Sequence, residues 1–143
     1  MQKHLYILTG GSRGMGLAMA QQLLQPGHNL LCLSRNTQPA LQAAAERAGA
    51  ALTQWPVDLA DGAAAAQRLQ DWLDSQDPTL FASATLINNA GVIPALVPLR
   101  DSSPADLAHA LRVGLEAPMQ LCAAFLGATR HWEGARKVLN VSS

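Results

Sequence analysis

The sequence predicts an open α/β fold built on a parallel sheet. Three observations carry that expectation. Short apolar runs alternate with longer helical stretches along all 143 residues. The run NLLCLS (29–34) is apolar without alternation, as expected of a parallel strand covered on both faces. A repeated strand–helix order also calls for right-handed crossovers between parallel neighbours.

Taken in order, HLYILT (4–9) reads as the first strand. Residues 14–25 form a helix stopped by Pro26 and Gly27, because proline cannot donate to the helical ladder. Strand 29–34 leads to a helix over about 38–48 and a strand over about 51–57. DLADGAAAAQRLQDWLD carries the third helix and ATLINN (84–89) the fourth strand. Ser103 and Pro104 make a helix start, with a serine cap, a proline in the first turn and Asp106 three residues on. That helix is expected to run to about 131, and KVLNVS (137–142) to form the fifth strand.

Apolar residues make up 49% of the chain and charged residues 14%, which excludes disorder and suits a soluble globular domain. Ten basic and ten acidic residues balance, so no basic face points to nucleic acid or to an anionic membrane surface. The first apolar run is cut by glycines and is too short for a signal peptide or a membrane span, so a cytoplasmic location is expected. Cys32 and Cys122 sit in apolar patterns and read as reduced core thiols. His4, His28, His109 and His131 are scattered without ligand spacing, and no metal site is expected.

TGGSRGMG follows the first strand directly, with Gly10, Gly14 and Gly16 opening the first helix. Glycines at such a turn let the backbone bend sharply and approach a pyrophosphate, to which the helix N-terminus offers unpaired N–H groups. Taken alone the pattern also fits an ordinary tight turn. An acidic residue that would hold a ribose 2′-hydroxyl is missing after the second strand, where Ser34, Arg35 and Asn36 stand instead. Arg13 lies within the glycine loop. Two guanidinium groups near the adenine ribose suit a 2′-phosphate, so NADP(H) is expected in preference to NAD(H); two solvated surface arginines are the plainer alternative.

Four stretches in order carry a resemblance: TGGSRGMG, then Asp58–Leu59, NNAG at 88–91, and NVSS at 140–143. On these motifs the chain resembles the classical short-chain dehydrogenases/reductases, over about the first half of such an enzyme. Within that family it looks most like relatives of sepiapterin and benzil reductases, through GLEAPMQL (114–121) and the SRN run. The resemblance implies a Rossmann-type doubly wound sheet that continues beyond residue 143. It implies cofactor contacts from Gly10, Ser12, Arg13, Gly14, Met15 and Gly16 in the first loop, and from Ser34, Arg35 and Asn36 in the second. Asp58 and Leu59 would meet the adenine, Asn89, Ala90 and Gly91 would pass under the ribose, and Val113 would pack near the adenosine. Ser143 aligns with the serine that holds the substrate carbonyl oxygen, and Ser142 is its neighbour.

The implied activity is NADPH-dependent reduction of a small ketone or dicarbonyl, in a homo-oligomer. The loop VIPALVPLRD (92–101), with Ile93, Leu96 and Val97, would border the substrate or merely connect two elements. Two departures stand out. Gly114 replaces the usual asparagine, whose main-chain carbonyl holds a relay water, and Pro118 four residues on cannot donate to that carbonyl. The family's proton-donating tyrosine, followed four residues later by lysine, has no counterpart here: Tyr6, the sole tyrosine, lies in the first strand. That pair is expected beyond Ser143, and these 143 residues alone are expected to be inactive. A non-catalytic NADP(H)-binding module or an inactive fragment is the competing reading.

Overall fold

The computed structural model describes residues 2–142. Five strands form one parallel sheet: β1 (Lys3–Thr9), β2 (His28–Ser34), β3 (Ala51–Pro56), β4 (Phe81–Asn88) and β5 (Ala135–Asn140). Their spatial order is β3-β2-β1-β4-β5, so the chain winds outward from β1 to one side and then to the other. This is the doubly wound arrangement, and its topological switch lies between β1 and β4. The helices are α1 (Gly14–Leu23), α2 (Pro39–Ala48), α3 (Gly62–Asp74), α4 (Pro104–Leu111) and α5 (Ala117–Ala128).

The two faces of the sheet are filled by alternate residues of the same strands. Leu5 and Ile7 of β1, with Leu31 and Leu33 of β2, face a core completed by Leu69 and Leu73 of α3 and by Leu121 and Phe125 of α5. Leu8, Leu30 and Cys32 face the other way, onto Ala20 of α1 and Leu41 and Ala45 of α2. The unalternating apolar run of β2 is therefore a strand covered on both faces. Burial pushes the Cys32 thiol up to about 12, which keeps it protonated and inert.

Several boundaries differ from the sequence expectation. The first helix ends at Leu23, ahead of Pro26. β4 begins at Phe81 rather than 84, because a capped turn over Pro78–Leu80 feeds it directly. Its small residues Ala82 and Ser83 gave no apolar signal, yet Ser83 pairs by backbone with Ala135. β5 starts at Ala135 and ends at Asn140, two residues earlier at each end than expected. Val141 still donates its N–H to the Asn88 carbonyl (2.9 Å). Ser142 follows the strand, and Ser143 lies outside the described residues.

The largest correction concerns the long helix expected over 103–131. It is divided: α4 passes into a π-helical turn at Arg112–Glu116 before α5 begins, and α5 ends at Ala128. The Ala117 N–H reaches back to the Arg112 carbonyl, one residue further than in an α-helix. Gly114 sits at the middle of the widened turn. Pro118 has no N–H for the ordinary bond to the Gly114 carbonyl, so both residues lower the cost of leaving α geometry. The serine cap is as expected, with Ser103 Oγ accepting from the Asp106 N–H at 3.3 Å.

Candidate functional site

At the C-terminal ends of β1, β2, β3 and β4 lies a cleft of about 350 Å³, within the range of small-molecule sites. Every residue expected to contact a cofactor lines it, from the first glycine loop round to Val113. Folding thus brings four separate stretches of sequence to one cavity at the switch point of the sheet.

The glycine loop forms the floor. Gly14 has φ +58°, a conformation that side chains disfavour, and a β-carbon there would meet no atom within 4 Å. The space beside it is open, as a cradle for a bulky anion requires. Gly16 is under the opposite constraint: a β-carbon on it would run into the Gly10 carbonyl oxygen. It lets α1 start hard against the loop, with its first N–H groups directed at the cleft.

A second loop, at the end of β4, is bonded to the first through Thr9. The Thr9 hydroxyl oxygen accepts the N–H groups of Asn89 and Ala90, both at 2.9 Å. The Asn89 side-chain amide donates back to the carbonyls of Thr9 (3.2 Å) and Gly10 (3.3 Å). Thr9 is 2% exposed, so these bonds are shielded from water and fix the two loops relative to each other. Asn88 ties the neighbouring strand in: its amide donates to Asn140 Oδ1 (2.9 Å) and to Cys122 Sγ (3.4 Å).

Arg13 and Arg35 are exposed at the rim, and neither forms an ion pair among the described residues. Asp58 Oδ1 accepts the Ala60 N–H at 2.9 Å and caps a short 3₁₀ turn (Leu59–Asp61), which leaves Oδ2 available to a ligand. The cleft therefore offers two unpaired guanidinium groups on one side and one carboxylate oxygen on another. This donor set fits a phosphorylated adenine nucleotide, with phosphate at the arginines and an exocyclic amino group at the carboxylate.

Sequence reasoning missed Thr9 as the link between the loops, and His109, Leu33, Val57 and Val92 as lining residues. His109 precedes Val113 by one helical turn and so shares its face, a spacing that could have drawn attention to it. Gly114 does not line the cleft; it lies exposed on the π turn just behind Val113.

The loop at 92–101 forms a shallow apolar depression beside the cleft. Ile93 (82% exposed) and Leu96 (91%) point outward, and Ala95 donates its N–H to Asp106 Oδ2 at 2.8 Å. That bond pins the loop to the first turn of α4. Among the described residues no helix is long and apolar enough to cross a membrane.

The model of a family described as short chain dehydrogenase matches residues 4–143. A benzil reductase ((S)-benzoin forming) of Bacillus subtilis (strain 168) is 32% identical over 139 residues, covering 97% of this chain and 54% of that protein. A second, from Bacillus cereus, is 29% identical over 137 residues, covering 96% of this chain and 55% of that protein. The chain thus spans about half the length of these relatives. A short-chain dehydrogenase/reductase from Burkholderia vietnamiensis superposes with TM-score 0.82 at 35% identity, over 99% of this chain and 66% of that one. A metagenomic short-chain oxidoreductase in complex with NADP gives TM-score 0.84 at 28% identity, over 99% and 62%.

Proposed function

Since the chain belongs to the short chain dehydrogenase family, we propose that its cleft binds NADP(H) in preference to NAD(H). We propose further that it serves an enzyme reducing a small ketone or dicarbonyl. The observation that carries the cofactor reading is the pair Arg13 and Arg35, both unpaired and both on the cleft, where an acidic residue would favour a free 2′-hydroxyl. A structural relative that holds NADP and the likeness to benzil reductases support the same reading.

In this account the glycine loop and the N-terminus of α1 receive the pyrophosphate. Arg13 and Arg35 grip the 2′-phosphate with planar, bidentate donors. Asp58 Oδ2 accepts from the adenine amino group, and Val113 and Leu59 pack on the base. Asn89, Ala90 and Gly91 pass beneath the ribose, where the bonds to Thr9 hold Asn89 and Ala90 in place. When bound, the reduced nicotinamide supplies hydride to the substrate carbon.

Ser143 polarises the carbonyl oxygen by donating its hydroxyl; among the described residues, Asn88 donates to Asn140 Oδ1 and accepts the Val141 N–H, which ties the end of β5 to β4. Proton delivery to the developing alkoxide belongs to a tyrosine–lysine pair that residues 1–143 do not contain. The Gly114 carbonyl, relieved of its usual partner by Pro118, holds a water for that proton path. Ile93, Leu96 and Val97 offer an apolar border suited to an apolar carbonyl compound. Exposed Leu111, Leu115 and Met119, four residues apart along one face from α4 into α5, suit burial against a second copy in a homo-oligomer.

Arg35→Asp tests the cofactor reading. NADPH affinity should fall by about tenfold or more, the scale of one lost charge-assisted contact, while NADH affinity stays within about twofold. Equal losses for both cofactors, measured by calorimetry, would remove the 2′-phosphate from the account.

A further inference from the structure

At the edge of the sheet opposite the cleft, two histidines that the sequence keeps far apart become neighbours. His4 of β1 stands in register with His28 of β2. Their ring centroids are 5.8 Å apart with planes at 77°. We propose that His4 and His28 form a binding site for a divalent cation of the zinc class, completed by water and independent of the dinucleotide cleft.

The spacing is what a shared ion needs. With Zn–N of about 2.0–2.1 Å, each ring centre stands roughly 3.2 Å from the metal. Two rings at roughly 110–130° about it then lie about 5–6 Å apart. The ring orientations are also fixed in a way that leaves the required nitrogen free. His28 Nδ1 lies 2.7 Å from the Leu23 carbonyl oxygen. A carbonyl only accepts, so the proton sits on Nδ1 and the neutral ring keeps its lone pair on Nε2. His4 Nδ1 lies 2.7 Å from Ser83 Oγ, and with that hydroxyl accepting, His4 takes the same tautomer.

Metal-bound histidines characteristically donate their second nitrogen to such a carbonyl or hydroxyl, which sets ring orientation and raises ligand basicity. Neither Nε2 has a hydrogen-bond partner among the described residues. The Tyr6 ring, 5.1 Å from that of His28, buttresses the pair from the interior side. His4 itself is exposed, so an ion has access.

Zinc titration by calorimetry in a non-coordinating buffer tests the proposal. The 143-residue chain should bind one equivalent. His4→Ala and His28→Ala should each weaken binding by about tenfold or more, whereas His131→Ala, outside the pair, should leave it within about twofold. Wild-type affinity in either of the first two variants, or an equal loss in the third, would overturn it. Where a variant does not fold, Co²⁺ added to the wild-type chain gives a second readout. Its paramagnetism should broaden the ring protons of His4 and His28 ahead of those of His109 and His131, and the reverse order overturns the proposal equally.

Discussion

Thr9 shows how much of the cleft depends on one hydroxyl. Its oxygen accepts the N–H groups of both Asn89 and Ala90 while remaining 2% exposed. Thr9→Val conserves shape but strands two buried donors, which costs about 1–3 kcal/mol. Urea unfolding should show that loss, together with weaker nucleotide binding as the loops separate; an unchanged midpoint would mean that water replaces the hydroxyl. Thr9 was not legible in the sequence, because a threonine ending an apolar strand looks like any other strand end. The glycines were legible because strand, loop and helix follow one another without interruption. His109 stayed hidden for a different reason: its place on the cleft depends on where α4 lies against loops distant in sequence, which no local pattern records.

Among the elements, those with strong periodicity or punctuation lie where the sequence places them. The misplaced boundaries share a cause. After Phe81, β4 opens on the small residues Ala82 and Ser83, and β5 opens on Ala135 and Arg136; Ser83, Ala135 and Arg136 pair through the backbone. Apolar patterning carries no trace of such a start. The π turn was half legible, since Gly114 and Pro118 marked a weak place in the helix without specifying an inserted residue. Gly114→Asn tests what that place is for. A β-carbon on Gly114 would meet nothing within 4 Å, so the asparagine fits without displacement. NADPH affinity should be unchanged and turnover of the active enzyme should not fall. A large drop in turnover would show that the π turn needs glycine itself, beyond a free carbonyl.

For the molecule as a whole, the sheet order places the chemistry. Because the chain leaves β1 toward β2 and β3 and then returns across β1 to β4, the loops after β1 and β4 diverge and open a cleft between them. Fold class, strand count and the cleft's main residues follow from sequence because each strand is followed at once by its functional loop. The pairing of His4 with His28 does not, since it exists only through the register of β1 on β2. The central claim is that this cleft is an NADP(H) site, and backbone amide resonances followed during an NADPH titration test it most directly. The account predicts saturable shifts confined to the loops at 10–16, 34–36, 58–59 and 89–91 and to His109 and Val113, with NADH requiring a higher concentration for the same pattern. Absence of saturable binding, or shifts centred elsewhere on the fold, would contradict it.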